Sequence, residues 1–153
     1  MLDITFPSEK SDKDMPSLNH SYICSRILRQ LFDNQTIEAL PELTIDIDKG
    51  LTPDISVYKA TDIQPNFSRD MTKMPQMPIL VIEVISASQN IQDILEKSER
   101  LVQNGIKTAW TIEPYTRTIF VTTEKGEDRI YNQTVTTENI VVDFKKIFAD
   151  SKE

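Results

Sequence analysis

The sequence of 153 residues contains one cysteine, Cys24, and one histidine, His20. A single cysteine excludes an internal disulfide framework and any zinc site built from several cysteines. A single histidine excludes metal sites built from several histidines, including the two-histidine helix of many metalloproteases. An unpaired cysteine is typical of a reducing compartment, so we expect a cytoplasmic protein.

Long apolar runs and an excess of basic charge are also missing. No apolar stretch approaches the ~18 residues of a membrane span, and the first residues do not resemble a signal peptide, so we expect no membrane association. The 17 lysines and arginines are outnumbered by 24 aspartates and glutamates, which gives a net charge of −7. This balance argues against sequence-blind coating of DNA, but a nuclease with local substrate contacts remains open.

The length predicts one domain, and the spacing of apolar residues predicts its elements. We expect a flexible segment over residues 1–16 and a single domain over residues 17–150. Predicted helices cover residues 17–33 and 91–104, and predicted strands cover residues 43–47, 55–58, 79–85, 109–112, 118–121 and 129–131. Residues 140–142 indicate either a last strand or the approach to a short helix. This order indicates an α/β fold with a mixed sheet, in which the second helix is a crossover.

One acidic residue interrupts the most apolar segment of the chain. Glu83 lies within residues 79–85, and every other side chain of that segment is apolar. Such a run is typical of a central strand that is covered on both faces. A buried carboxylate requires a cation or hydrogen-bond donors nearby in order to ionise. Glu83 is therefore a candidate functional residue, and a purely structural ion pair is the alternative.

A second acid, Asp54, follows Pro53 and precedes the strand predicted over residues 55–58. Adjacent strands lie ~4.8 Å apart, so Asp54 and Glu83 would converge on one divalent ion if their strands are neighbours. Oxygen ligands of this kind are those that magnesium prefers. The alternative for Pro53-Asp54 is an ordinary turn or strand start.

Asp93 and Lys97 lie four residues apart on the helix predicted after Glu83. In an arbitrary helix such a pair is an exposed ion pair worth about 0.3–0.5 kcal/mol. The positions of the apolar residues place Lys97 at the margin of the buried stripe and Asp93 nearer solvent. A marginal lysine can extend its head group over the end of a sheet, so Lys97 is the stronger candidate of the two.

Several segments, taken in order and with their spacing, resemble a known family. They are residues 53–57, residues 78–86, Asp93 with Lys97, residues 105–106 and residues 110–114. Together they resemble the Uma-two family, described as putative restriction endonucleases, within the PD-(D/E)XK nuclease superfamily. The resemblance covers about residues 53–121, with weaker similarity at His20 and Leu43.

The resemblance implies a restriction-endonuclease-like core, in which helices flank a central mixed sheet and acids on two adjacent strands bind Mg²⁺ or Mn²⁺. By position, Asp54 and Glu83 would be the metal ligands, and both would be catalytic together with Lys97. The superfamily commonly places its lysine two residues after the glutamate, where this sequence has Ile85. The family pattern instead places the lysine on the following helix, at Lys97.

Two further residues are possible substrate contacts, and two functions remain open. His20 lies near the start of the first helix, where it could contact a phosphate, and Asp93 lies near the start of the second. One hypothesis is a metal-dependent endonuclease that hydrolyses phosphodiester bonds in DNA. The other is a catalytically degenerate nuclease fold that serves as a binding or dimerisation module, which the net charge and Ile85 favour. A long loop predicted over residues 59–78 contains Met71, Met74 and Met77. Apolar surface on this methionine-rich loop and on the hairpin over residues 118–131 predicts a homodimer.

Overall fold

The computed structural model of the protein describes residues 16–149. Residues 1–15, which make up nearly all of the predicted flexible segment, lie outside the described residues, as does the predicted end of the domain at residue 150. Within residues 16–149, no helix combines the length and the apolar character that crossing a bilayer requires.

The described residues form three α-helices and eight β-strands. The helices are α1 (Leu18–Leu31), α2 (Ile91–Gln103) and α3 (Phe144–Ile147), and the strands are β1 (Ile37–Pro41), β2 (Ile55–Lys59), β3 (Leu80–Val84), β4 (Thr108–Glu113), β5 (Thr118–Thr123), β6 (Gly126–Tyr131), β7 (Thr134–Thr137) and β8 (Ile140–Asp143). A 3-10 turn follows β2 at Ala60–Asp62.

Strands β1 to β6 form one mixed sheet in chain order, and β7 and β8 form a separate hairpin among the described residues. Only β3 and β4 pair in parallel within the six-stranded sheet as described. A parallel pair needs a crossover connection, and α2 provides it. The predicted fold class, a mixed sheet flanked by helices, is confirmed.

The prediction of a strand over residues 43–47 is wrong. Ile45 forms only isolated bridges, with Leu51 and Met74, and the first strand of the sheet is β1 instead. The turn at residues 48–50 folds this segment back on itself, so that Ile45 and Leu51 exchange two backbone hydrogen bonds of 2.7 and 3.1 Å. Ile45 and Ile47 are nonetheless buried against α2 and the sheet, which explains the apolar alternation without a continuous strand.

The two faces of the sheet carry separate apolar clusters. The larger contains residues from α1, α3 and the β7–β8 hairpin, packed on the face that carries Leu80, Ile82 and Trp110. Trp110 is fully buried and donates from Nε1 to Thr137 Oγ1 at 3.0 Å. The smaller cluster joins Leu101 of α2 to Val81 on the opposite face. Because α1 and α2 cover opposite faces, each can present a side chain to the same end of the sheet.

Both long helices begin with a side-chain cap that fixes where their first turns lie. The Ser17 hydroxyl accepts a hydrogen bond from the His20 N–H at 3.1 Å, and the side-chain oxygen Oδ1 of Asn90 accepts one from the Gln92 N–H at 2.8 Å. Capping by these residue types typically contributes ~1 kcal/mol. The Ser17 cap therefore also fixes the backbone at His20.

Replacing Ile27, a buried residue in the middle of α1, tests the contribution of the larger cluster. We expect Ile27→Ala to lower the free energy of unfolding by about 2–5 kcal/mol, because truncation removes apolar contacts and leaves a cavity. Leu18→Ala on the same helix is the matched control, since Leu18 is 83% exposed and should change stability by no more than about 0.5 kcal/mol. Urea unfolding followed by circular dichroism measures both, and equal effects would contradict the packing described here.

Candidate active site

The pairing of β2 with β3 brings the two predicted acids together. These strands are antiparallel neighbours with Ile55 opposite Ile82. Asp54, which directly precedes β2, therefore lies next to Glu83 of β3. The predicted convergence of the two acids required adjacent strands, and β2 and β3 are adjacent.

Both carboxylate oxygens of Asp54 are held by donors from different elements. Oδ2 accepts a hydrogen bond of 2.7 Å from the backbone N–H of Val84, at the end of β3. Oδ1 lies 3.0 Å from Nε2 of His20, which α1 supplies from one face of the sheet. The carboxylate is therefore fixed in orientation relative to β3.

The ion-pair partner of Glu83 comes from the helix that covers the other face of the sheet. Nζ of Lys97, on α2, lies 2.7 Å from Oε1 of Glu83, and their side chains are 25% and 8% exposed. The neighbouring residue Ser98 shares a buried 3.0 Å hydrogen bond with Thr111, the residue of β4 opposite Glu83. This contact anchors α2 to the sheet and places Lys97 at the margin of the buried helix face, with its ammonium over the end of β3.

The two acids have opposite pKa shifts. Burial raises the pKa of Glu83 to about 7; the Lys97 ammonium opposes this shift and the charge of Asp54 adds to it. Burial also acts to raise the pKa of Asp54, but hydrogen bonds from His20 and from the Val84 N–H outweigh it, so this pKa lies below its ordinary value. In the absence of a further cation, Glu83 therefore holds a proton far more readily than Asp54. A hydrogen bond between the two carboxyl groups contributes to both shifts.

His20 and Cys24 lie one helical turn apart on α1, beside Asp54. The hydrogen bond to Asp54 raises the pKa of His20 despite partial burial, and its other nitrogen, Nδ1, is buried without a hydrogen-bond partner among the described residues. One ligand-type atom from each of His20, Cys24 and Asp54 lies within 4.8 Å of the others. Burial raises the pKa of the Cys24 thiol to about 12, so it is neutral near pH 7.

The predicted site residues therefore divide into two sets. Asp54, Glu83, Lys97 and His20 are joined by direct contacts at one end of the sheet. Asp93 lies exposed in the first turn of α2, where an acid complements the helix dipole, and no contact among the described residues links it to either acid. The contact between His20 and Asp54 was not predicted from the sequence, because it joins residues 34 positions apart.

Comparisons with known proteins identify the family and the fold of the chain. The family model described as "Putative restriction endonuclease" matches residues 13–148. The chain belongs to the Uma2 family. This is the Uma-two family that the sequence segments resemble, so the match confirms that resemblance over most of the chain. No curated protein sequence matches the chain.

A solved structure related to the Uma2 chain shows the same fold. It is the 1.96 Å crystal structure of a protein from Anabaena variabilis, described as a putative nuclease. The two structures superpose with a TM-score of 0.75 at 21% sequence identity, over 90% of this chain and 84% of the other. At this identity the likeness establishes the fold, and the roles of individual residues must be argued from their own contacts.

The donor set of this Uma2 site fits a hard divalent cation. Asp54 and Glu83 offer oxygen ligands, which magnesium and manganese prefer, from two adjacent strands. Their closeness makes ionisation of both acids unfavourable in the protein alone, and a cation of charge +2 would remove that penalty. Cys24 fits such an ion poorly, since its thiol is neutral and sulfur favours softer metals.

The shifted pKa of Glu83 predicts how stability depends on pH. Its folded pKa of about 7 exceeds the ordinary 4.5, so the folded state loses stability as pH rises through this interval. The raised pKa of His20 acts in the same direction, because that stabilisation is complete below 6.5 and is lost above the folded pKa. The lowered pKa of Asp54 affects stability only at more acidic pH.

We expect the wild-type chain in EDTA to be less stable at pH 8.5 than at pH 5.5, and Glu83→Gln to reduce that difference by roughly 1–3 kcal/mol. Urea unfolding at several pH values measures the difference. Asp62→Asn, an exposed acid in the 3-10 turn, should retain the wild-type profile. A Glu83→Gln profile as steep as that of the wild type would show that Glu83 does not titrate in this interval.

Proposed function

We propose that this Uma2 protein is a metal-dependent endonuclease that hydrolyses phosphodiester bonds in DNA. The observation that supports it most is the closeness of three side chains at one end of the sheet. The pairing of β2 with β3 sets Asp54 beside Glu83, and Nζ of Lys97 lies 2.7 Å from Oε1 of Glu83. Membership of a family described as "Putative restriction endonuclease" and the fold shared with a protein described as a putative nuclease support a nuclease. Metal dependence and DNA as the substrate are the parts that we add.

In this proposal each side chain has a distinct role. Asp54 and Glu83 would hold Mg²⁺ or Mn²⁺, and the bound ion would polarise the phosphate and lower the pKa of its water. His20 is a positioning residue, because its Nε2 fixes one oxygen of Asp54 while the Val84 N–H fixes the other. Lys97 would orient the attacking water or neutralise the charge that develops on the phosphate.

The position of the lysine is consistent with this role. The residue two positions after Glu83 is Ile85, which is buried and cannot supply a charge. Lys97 reaches the same carboxylate from α2, with its Nζ 2.7 Å from Oε1. A long side chain that is one-quarter exposed can retain contact with the site and still turn towards a bound phosphate.

A second candidate is a catalytically degenerate domain that binds nucleic acid or another copy of the chain without turnover. The pairing of each acid with a basic side chain favours it, because these pairs also satisfy a purely structural role. The net charge of −7 favours it as well. The measurements of metal binding and of cleavage below separate the two candidates.

A homodimer and a cytoplasmic location remain predictions from the sequence. Cleavage of both strands of a duplex would be simplest with two copies of the site, which is the functional reason to expect a dimer. Cys24 is a free thiol in the structure, as a reducing compartment would maintain it.

Metal binding is the first test. Isothermal titration of Mn²⁺ into the wild-type chain should show one site, and Glu83→Ala or Asp54→Ala should weaken it by roughly 10-fold or more, because each removes one of two charged ligands. Asp62→Asn should bind as the wild type does. Equal binding by the wild type and both alanine variants would exclude this metal site.

Cleavage is the second test. With Mg²⁺ or Mn²⁺, the wild type should cut plasmid DNA, and Asp54→Asn, Glu83→Gln and Lys97→Met should each slow cleavage by about 10²-fold or more. Lys146→Met, an exposed lysine on α3, is the matched control for the loss of a lysine. Metal binding by a wild type that cuts no DNA would support the degenerate module, and cleavage that persists in Asp54→Asn would exclude the proposed catalytic role.

A further inference from the structure

A groove of about 1160 Å³ opens next to the residues that follow β3. Its lining includes Ser86, which follows β3, and the start of α1 at Ser17. Its other side is formed by the turn between β4 and β5 together with Phe120 of β5 and Arg129 of β6. Ser86 lies three residues after Glu83, and Asn19 directly precedes His20, so the groove borders the candidate active site, although the two acids do not line it.

Two tyrosines line this groove with their side chains exposed to solvent. Tyr115, in the turn after β4, is 96% exposed, and Tyr131, at the end of β6, is 62% exposed. Neither contributes to the apolar clusters of the fold. Exposed aromatic rings beside a catalytic site are typical of surfaces that stack nucleic-acid bases.

The charged side chains of the groove complement a phosphate backbone. Arg129 lies with its guanidinium carbon 5.2 Å from the centre of the Phe120 ring, and it approaches Glu127 at 3.4 Å on the exposed surface. Arg117 lines the groove and has no ion pair among the described residues. The acid in the lining, Glu113, accepts hydrogen bonds from the backbone N–H groups of the turn and from the Thr116 hydroxyl, so donors already surround its charge.

We propose that this groove binds single-stranded DNA, with bases stacked on Tyr115 and Tyr131 and phosphates near Arg117 and Arg129. The inference rests on the proposed function, and it assigns the groove to an unpaired segment of the DNA that is cut. A strand lying along the groove would contact Ser86, three residues after Glu83, at the border of the candidate active site.

The chemistry favours a single strand over a duplex. The faces of bases are covered by stacking within a duplex, whereas an unpaired strand offers each face to an aromatic ring. Binding of a long duplex depends on many lysine and arginine contacts with phosphates, and a chain of net charge −7 is poorly suited to it. Two arginines and two tyrosines suit a short unpaired segment.

Fluorescence anisotropy tests the inference without relying on catalysis. The full chain carrying Glu83→Gln is titrated, in EDTA, into a labelled single-stranded oligonucleotide of about 16 nucleotides and into a hairpin duplex of the same sequence. We expect tighter binding of the single strand. Tyr115→Ala and Tyr131→Ala should each raise its Kd by roughly 5- to 100-fold, as expected for loss of one stacked base.

Two kinds of substitution separate stacking on the rings from contacts with phosphates. Tyr115→Phe and Tyr131→Phe keep a ring and should bind within about 2-fold of the parent, whereas Arg117→Ala and Arg129→Ala should weaken binding and reduce its dependence on salt. Phe67→Ala is the control for an exposed aromatic outside the groove, since Phe67 is 98% exposed, and it should bind as the parent does.

Three outcomes would overturn the inference: tighter binding of the duplex, unchanged Kd in both tyrosine-to-alanine variants, or an equal loss in Phe67→Ala. Its failure is distinguishable from failure of the proposed nuclease. Cleavage that requires Asp54 while the groove variants bind normally would leave the nuclease intact and exclude the groove. Single-strand binding that depends on the groove, in a chain that cuts no DNA, would support the groove and exclude the hydrolysis.

Discussion

The site depends on two carboxylates forced together by strand pairing. The antiparallel register of β2 and β3 sets Asp54 beside Glu83, and neither position can change without shifting the sheet. Burial and mutual repulsion would make a doubly ionised pair costly, so the fold must supply compensating positive charge or keep one proton. The shift of the Glu83 pKa to about 7 is the direct expression of that conflict. The surrounding helices are placed so as to relieve it.

Each face of the sheet supplies one basic side chain to this pair. Helix α1 lies on the face of the larger cluster and directs His20 to Asp54, while α2 lies on the other face and directs Lys97 to Glu83. The side chains balance in charge when His20 is protonated and both acids are ionised. A bound ion of charge +2 would satisfy both carboxylates by itself and would release Lys97 from its role as counter-ion. The lysine that stabilises the folded site would then be available to a phosphate of the substrate, which links the ion pairs of the fold to the proposed chemistry.

The sequence predicts the acid in the central strand β3 better than it predicts the outer strand β1. An acid within the apolar run of β3 is a strong local signal, and the family match over residues 13–148 confirms the resemblance built around it. The first strand, Ile37–Pro41, was missed, because it is short and its burial does not alternate cleanly between the two faces. Apolar and polar residues alternate clearly over residues 43–47, but this segment is not a strand. Apolar residues in a compact loop can be buried as regularly as those of a strand, as Ile45 and Ile47 are here. The local periodicity of apolar residues indicates which side chains are buried. It does not indicate which strands pair, because pairing depends on partners that lie elsewhere in the chain.

Contacts between distant segments are the part that periodicity cannot supply. The pairing of His20 with Asp54 requires α1 to cross one face of the sheet at a particular angle, and the groove unites a turn after β4 with the end of β6. Tyr115 and Tyr131 are sixteen positions apart in the sequence, and only the β5–β6 hairpin returns the chain to the same edge. The two candidate acids, by contrast, lie in or directly before strands whose hydrophobic patterns also build the core. Residues shared between core and site leave a trace in the sequence pattern, whereas residues that serve only a surface leave none, and this explains why the acids were predicted and the groove was not.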